Sequence, residues 1–243
     1  MKIFLAGATG AIGKRLVPLL LAAGHEVTGT TRSEDKAVAL RTAGVLPLVV
    51  DVFDASSLSR AVATAKPDIV VHQVTDLPPG LDPSQMAEAT RRNAHVRKEG
   101  TRNLVSAALQ AGVRRFVSQS IAWMYAPGGE PHGEDDPLDV HAEGSRAITV
   151  DGVATLERLA LSSTPLVGTV LRYGHLYGPG TGARAIPESP SLHVDAAASA
   201  ALLAIEKERA GAYNIADQNG YLSIAKARRE LGFDPQFRLD DRA

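Results

Sequence analysis

Residues 2–13 read K-I-F-L-A-G-A-T-G-A-I-G. The apolar run at residues 3–6 stops at Gly7, and further glycines follow at Gly10 and Gly13 before a helical pattern begins. Glycines in such a turn permit a tight bend and a close approach of the backbone to a pyrophosphate. The pattern therefore predicts a buried parallel strand, a phosphate-binding turn and a helix at this point.

Strand and helix patterns alternate from this turn to about residue 171. Strands are predicted at residues 3–6, 26–30, 45–50, 68–74, 115–120 and 166–171. Helices are predicted at residues 12–23, 34–43, 54–65, 84–111 and 142–161. This alternation predicts an α/β fold, a doubly wound parallel sheet with helices on both faces, which is the Rossmann fold.

Beyond residue 171 the pattern loosens. Residues 173–190 show no clear period, and a helix, a strand and a helix are predicted at residues 194–206, 211–216 and 222–231. We expect residues 1–171 to form a dinucleotide-binding domain. Residues 172–243 are expected to form a small, shortened C-terminal substrate lobe interleaved with the same core.

Composition narrows the classes of function. The net charge is -1, so the chain lacks the excess of positive charge that is typical of proteins that bind nucleic acid or a membrane surface. The chain has no cysteine, and its seven histidines show no metal-binding spacing, so no metal site is predicted. Four apolar residues before Gly7 are too few for a signal peptide, and no apolar stretch approaches the about 20 residues of a membrane span. These features indicate a soluble, cytoplasmic protein that acts on a small molecule.

The ends of the first four strands supply the predicted cofactor contacts. The turn contributes Gly7, Thr9, Gly10, Ala11, Ile12 and Gly13, and the helix that follows presents free N–H groups to a phosphate. The end of the fourth strand contributes His72, Gln73 and Val74, because ligands bind at the carboxyl ends of parallel strands.

The end of the second strand indicates which dinucleotide binds. The residues there are Thr31, Arg32 and Ser33, so the acid that holds a free ribose 2′-hydroxyl in NAD binders is missing. An arginine fork and a hydroxyl suit a 2′-phosphate, and NADP(H) is therefore favoured over NAD(H). Asp51 and Val52 follow the third strand, where Asp51 either accepts from the adenine amino group or caps a turn.

Several motifs resemble the extended short-chain dehydrogenase/reductase superfamily, and within it the NAD-dependent epimerase/dehydratase family. They are G-A-T-G-A-I-G (7–13), D-V (51–52), N-A-H-V (93–96), G-T-R-N-L (100–104), V-S-Q-S-I-A-W-M-Y (117–125), L-R-Y-G-H-L-Y-G-P-G (171–180), H-V-D (193–195) and A-Y-N-I (212–215). The resemblance implies that Ser120 is the active-site hydroxyl and that Asn93, Arg172 and His175 lie near the cofactor or the substrate. It also implies a homodimer through the long central helices, although the charged run at residues 91–102 is typical of a solvated helix face.

The chain departs from the family at its Y-x-x-x-K pair, in which tyrosine supplies a proton and lysine lowers its pKa. None of the five tyrosines has a lysine four residues on. With Glu157 aligned on the family's acid, the pair falls on Thr149 and Val153. General acid–base catalysis contributes about 10²–10⁴-fold, so a chain without the pair must have a substitute or lose that factor. The candidates are Tyr125, His141, Tyr173 and His175.

Two functions follow from these observations. The first is an NADP(H)-dependent oxidoreductase that moves hydride to or from a carbonyl/alcohol carbon, with Ser120, Tyr125 and His175 as catalytic residues. A sugar epimerase or dehydratase is a variant of it. The alternative is a catalytically weak or inactive module that binds or senses NADP(H).

Overall fold

The computed structural model describes residues 1–183 and 185–240. Its strands are β1 (Lys2–Ala6), β2 (Glu26–Thr31), β3 (Leu46–Val49), β4 (Ile69–His72), β5 (Arg115–Ile121), β6 (Val167–Tyr173), β7 (His175–Tyr177), β8 (Ser191–His193) and β9 (Gly211–Ile215). Seven of them form one sheet in the order β3-β2-β1-β4-β5-β6-β9, and every neighbouring pair is parallel. The order reverses between β1 and β4, which is where a doubly wound sheet opens its ligand crevice.

Helices cover both faces of this sheet. They are α1 (Ala11–Ala22), α2 (Glu34–Thr42), α3 (Ala55–Ala65), α4 (Met86–His95), α5 (Thr101–Gln110), α6 (Gly144–Ser162), α7 (Val194–Lys207) and α8 (Ala225–Leu231). Along β1, Ile3 and Leu5 join the apolar cluster that includes α1 and α7, whereas Phe4 joins the opposite cluster with α3 and α5. Successive side chains point to opposite faces of a strand, so the central strand is buried on both sides. The predicted Rossmann fold is confirmed.

The helix predicted at residues 84–111 is divided in the structure. A short 3₁₀ turn at Pro83–Gln85 precedes α4, and a π turn at Val96–Gly100 separates α4 from α5. A π turn accommodates one additional residue within a helical path. Sequence periodicity did not reveal it because the chain stays helical on both sides.

The segment after β6 contains structure that the sequence pattern missed. Strands β7 and β8 pair in parallel as a separate two-stranded sheet. Each has three residues, which is too short for an alternating pattern to be visible. Strand β9 pairs with β6 in the main sheet, and the last helix begins at Ala225, three residues later than predicted. Within the described ranges, no helix is long and apolar enough to cross a membrane.

Candidate dinucleotide and substrate site

The turn after β1 packs so closely that two of its glycines leave no room for a side chain. Gly7 has φ +89°, and a Cβ there would lie 2.6 Å from the carbonyl oxygen of Gln73. A Cβ on Gly13 would lie 2.3 Å from the carbonyl oxygen of Gly7. Helix α1 then begins after Gly10 with neither a side-chain cap nor an acid in its first turn. Its free N–H groups and partial positive charge are therefore available to an anion.

An outer cavity of about 700 Å³ opens at the carboxyl edge of the strands beside this turn. It brings together most of the residues predicted to bind the cofactor: Gly7, Thr9, Gly10, Ala11, Thr31, Arg32, Ser33, Asp51, Val52, Gln73 and Val74. Two lysines that were not among the predicted site residues, Lys14 and Lys36, also line it. The cavity thus extends from the glycine turn to the ends of β2 and β3.

Cations converge on the end of β2. The exposed Arg32 side chain has neither a hydrogen bond nor an ion pair with any residue in the described part of the chain. Ser33 caps α2, and its Oγ accepts from the backbone N–H of Lys36 at 3.4 Å. Lys36 lies in the first turn of α2, next to the end of β2, and a cation at the start of the helix after this strand is the signal by which it could have been found.

Asp51 caps a turn, which is one of the two interpretations that the sequence left open. Its Oδ1 accepts from the backbone N–H of Phe53 at 2.9 Å, so it caps a turn. It also lines the outer cavity. Val52 is buried beside it, and its carbonyl oxygen accepts from Asn103 Nδ2 at 2.9 Å.

An inner cavity of about 400 Å³ continues from the outer one and shares the wall formed by Gly10, Ala11, Gln73 and Val74. Four further predicted site residues, Ile12, Asn93, Ser120 and His175, line it, and so does Tyr173, one of the candidate proton donors. Arg97 and Trp123 line it as well, and neither was selected from the sequence. The two cavities form one cleft, with the glycine turn at their junction.

Ser120 belongs to a buried network behind the inner cavity. Its Oγ donates to Glu157 Oε1 at 2.7 Å. Arg172, the register partner of Ser120 on β6, donates to the same carboxylate through Nη2 at 2.7 Å and Nε at 3.0 Å. Burial lowers the pKa of Arg172, but its hydrogen bonds and charge interaction with Glu157 outweigh burial, so the pKa is raised overall. The Ser120 proton is thus held by Glu157, and the hydroxyl presents acceptor lone pairs to the cavity.

Four predicted site residues lie outside the lining of both cavities. Tyr125 is 2% exposed, donates to Asn214 Oδ1 at 2.6 Å and accepts from Arg172 Nη1 at 2.8 Å. Both Tyr125 and Arg172 are therefore part of the buried network.

Gly13 lies inside α1, under the turn. His72 accepts from the backbone N–H of Val74 through Nδ1 at 3.2 Å, and burial lowers the pKa of His72 to about 4. At neutral pH the His72 ring is therefore uncharged, and its hydrogen bond holds the backbone of Val74 in the cavity wall.

The positions aligned on the missing catalytic pair have distinct environments. Thr149 lines the inner cavity, and its Oγ1 donates to the carbonyl oxygen of Ser145 at 3.2 Å. Val153 is fully buried against Met124 and Val150. Among the described residues that line the inner cavity there is no lysine.

Two of the candidate proton donors do reach the inner cavity. Burial raises the pKa of Tyr173, whose hydroxyl accepts from Gln73 Nε2 at 3.4 Å. The ring of His175 stacks on Trp123 with 3.7 Å between centroids, and burial lowers the pKa of His175. His141 is exposed and does not line either cavity. At neutral pH these shifts keep Tyr173 protonated and His175 uncharged.

Comparison with known proteins agrees with this geometry. The model of the NAD dependent epimerase/dehydratase family matches residues 3–191. A Streptomyces protein named 3-diazoavenalumate denitrifying reductase is 43% identical over 238 residues, which covers 89% of this chain and 76% of that protein. In structure, the fold is similar to UDP-glucose 4-epimerase from Thermotoga maritima (TM-score 0.78, 19% identity, 98% of this chain and 94% of that one). It is also similar to the dTDP-glucose 4,6-dehydratase DesIV from Streptomyces venezuelae (TM-score 0.77, 19% identity, 98% of this chain and 93% of that one). The chain therefore belongs to the NAD-dependent epimerase/dehydratase family.

Proposed function

We propose that the protein is an NADP(H)-dependent reductase that adds hydride to an electron-poor carbon without supplying a proton, and that its acceptor is an arenediazonium compound. The observation that carries this proposal is what stands at the two positions of the family's pair: Thr149 lines the inner cavity, and Val153 is fully buried. The family's tyrosine is replaced by Thr149, whose hydroxyl donates to a backbone carbonyl, and the family's lysine is replaced by the buried, apolar Val153.

The outer cavity suits NADP(H). Gly7 and Gly13 allow the turn to pack tightly, and the uncapped start of α1 offers its N–H groups to a pyrophosphate. Arg32 and Ser33 after β2, with Lys36 in α2, suit a 2′-phosphate. A phosphate with about two negative charges favours such a cluster, whereas a free 2′-hydroxyl gains little from it. When bound, NADPH supplies a hydride from the nicotinamide C4.

The reaction class follows from proton accounting. Hydride addition to a carbonyl carbon produces an alkoxide, which must receive a proton. Hydride addition to the ring carbon of an arenediazonium forms a C–H bond, and the electron pair of the broken C–N bond leaves with dinitrogen. The charges then balance without a proton. A reductase for this reaction has no use for a tyrosine–lysine pair, and the denitrifying reductase to which this chain is 43% identical acts on a diazo compound by name.

The polarity of the inner cavity supports the same class. The Ser120 hydroxyl donates a hydrogen bond to Glu157, and the Thr149 hydroxyl donates one to a backbone carbonyl. Both hydroxyls therefore offer the cavity only acceptor lone pairs. Acceptors stabilise a cationic diazonium group and disfavour an oxyanion. For the carbonyl substrate predicted from the sequence, Tyr173 is the remaining donor, and its raised pKa makes it a weak acid.

The test is a deuterium-transfer experiment with the purified protein. NADPH carrying deuterium at either face of C4 is incubated with benzenediazonium, with a benzenediazonium that bears a ring carboxylate, and with a panel of ketones and aldehydes. We expect protein-dependent loss of nicotinamide fluorescence, one dinitrogen per NADPH, and deuterium from one face at the former diazo carbon. A reaction without protein serves as the blank.

Each other outcome would refute the proposal in a distinct way. Deuterium acquired from solvent would exclude hydride transfer. Turnover of ketones or aldehydes alone would favour the carbonyl oxidoreductase. Binding of NADPH with no turnover of either class would favour the binding module.

A further inference from the structure

Arg97 is a cation of the inner cavity that the proposed hydride transfer does not use. It lies in the π turn Val96–Gly100, between α4 and α5, and its side chain lines the cavity together with Thr90 and Asn93. Such turns within helices are frequent at functional sites, because they displace a side chain from the regular helical face. Arg97 is thus placed inward within an otherwise charged helical surface.

Its charged neighbours along this helical path are all paired. Ion pairs join Arg91 to Glu88 (3.2 Å), Arg92 to Asp76 (3.4 Å), Lys98 to Asp151 and Arg102 to Glu99. By contrast, Arg97 has neither an ion pair nor a hydrogen bond with any residue in ranges 1–183 and 185–240. The solvated helix face predicted at residues 91–102 therefore has one member that differs from the rest.

Arg97 is half-buried, and its guanidinium lies deep enough that burial lowers the pKa of Arg97 to about 10. It remains charged at neutral pH. Among the described residues that line the inner cavity there is no carboxylate and no second cation. A desolvated charge without a counter-charge costs free energy, and an anionic ligand recovers that cost.

The rest of the cavity indicates what carries the anion. Its wall is largely apolar and includes Leu77, Met86, Ile121, Trp123 and Leu176. An apolar wall with a single cation suits a planar hydrophobic body that bears one negative charge. A nucleoside diphosphate carries at least two charges and needs more than one cation, whereas a carboxylate matches one guanidinium fork.

We propose that Arg97 binds the carboxylate of the substrate, so that the inner cavity accepts aromatic carboxylic acids. The reacting group of that acid rests on the proposed function, but recognition of the carboxylate does not. Arg97 is then the residue that decides substrate class and orients the ring against the nicotinamide end of the cleft.

The test measures binding without turnover. The chain has one tryptophan, Trp123, and it lines the inner cavity, so its fluorescence reports occupancy there. The protein saturated with NADP⁺ is titrated with 3-phenylpropanoate and with its neutral amide. We expect the acid to bind at least tenfold more tightly than the amide. Arg97→Met should weaken the acid by about tenfold to hundredfold, as for loss of a charged hydrogen bond, and leave the amide unchanged.

Two further variants control for folding and charge. Arg97→Lys should retain part of the preference for the acid, because the charge remains and the fork is lost. Arg102→Met removes a cation from the same helical path but outside the cavity, and it should leave both affinities unchanged. NADP⁺ affinity, measured by calorimetry, should be the same in all variants.

The proposal is overturned if the wild-type protein binds acid and amide equally, if it binds neither, or if Arg97→Met keeps the preference. If Arg97→Met does not fold, the wild-type ligand pair and Arg97→Lys still decide. Acid preference without deuterium transfer to a benzenediazonium that bears a ring carboxylate would refute the reductase alone. Deuterium transfer without acid preference would refute the role of Arg97 alone.

Discussion

Replacing Arg32 with alanine should weaken NADPH binding and leave NADH binding unchanged. Arg32 lies at the end of β2, on the wall of the outer cavity, and is unpaired within the described residues. A 2′-phosphate carries about two negative charges and three acceptor oxygens, so it forms charge-assisted hydrogen bonds with a guanidinium. NADH lacks that phosphate, and its binding energy comes from contacts that Arg32 does not make.

The magnitude follows from the exposure of the side chain. A hydrogen bond to a charged group contributes about 1.5–3 kcal/mol. Arg32 is exposed, and Ser33 and Lys36 remain beside it in the variant, so the lower end applies. A loss of about 1.5 kcal/mol corresponds to a roughly tenfold increase in the Kd for NADPH. Removing Lys36 as well should bring the loss to about a hundredfold.

Calorimetric titration with NADPH and NADH measures both affinities directly. Arg41→Ala is the matched control, because Arg41 is an exposed cation in the last turn of α2 and lies outside the cavity lining. It should change neither affinity. The preference of the wild-type protein for NADPH should also decrease as salt is raised, since the cluster is open to solvent. Equal losses for the two dinucleotides in Arg32→Ala would refute the assignment of this side chain to a 2′-phosphate.

Three further predictions concern the turn and the buried groups. Gly13→Ala should abolish NADPH binding or folding, because its Cβ would lie 2.3 Å from a carbonyl oxygen, whereas Gly10→Ala, with 3.4 Å to the same oxygen, should retain both; equal behaviour in a binding titration would contradict the packing argument. Glu157→Gln should lower the free energy of unfolding by about 3 kcal/mol, since Arg172 would stay buried without its counter-charge, and an unchanged urea midpoint would exclude this. The pKa of His72 is lowered from 6.5 to about 4 in the folded state, so between these values only the unfolded chain binds the proton; stability should be full above pH 6.5 and fall by about 3 kcal/mol towards pH 4. In pH-dependent urea unfolding, His72→Gln should show a shallower decline than the wild-type protein, and identical declines would refute the role of His72.

The helical stretch at residues 84–111 shows how far periodicity reaches. The sequence placed a charged helix there, and the structure has helical turns along nearly all of it. It also placed a solvated face at residues 91–102, but the π turn directs Arg97 into the cavity. A pattern of charges and apolar residues predicts which face of a regular helix is exposed, and it contains no information about an inserted residue.

The catalytic assignments show a second boundary. Tyr125 follows a predicted strand and belongs to a motif shared with the family. Its hydroxyl, however, is hydrogen-bonded to Asn214 and Arg172 in the buried network and does not line the cavity. Ser120 does line the cavity, but its hydroxyl hydrogen points to Glu157, which lies 37 residues later in the chain. Hydrogen-bond direction depends on partners that are distant in sequence, so residue type alone could not assign these roles.

The sequence by itself determined the fold and the position of the dinucleotide cleft. A strand, a glycine turn and a helix start lie within residues 2–13, and contacts between neighbours in the chain are enough to specify them. The tertiary structure alone decided what the inner cavity presents to a substrate. Its hydroxyls at Ser120 and Thr149 and its Arg97, which is unpaired among the described residues, come from separate elements, and packing and desolvation act only once the sheet has brought those elements together.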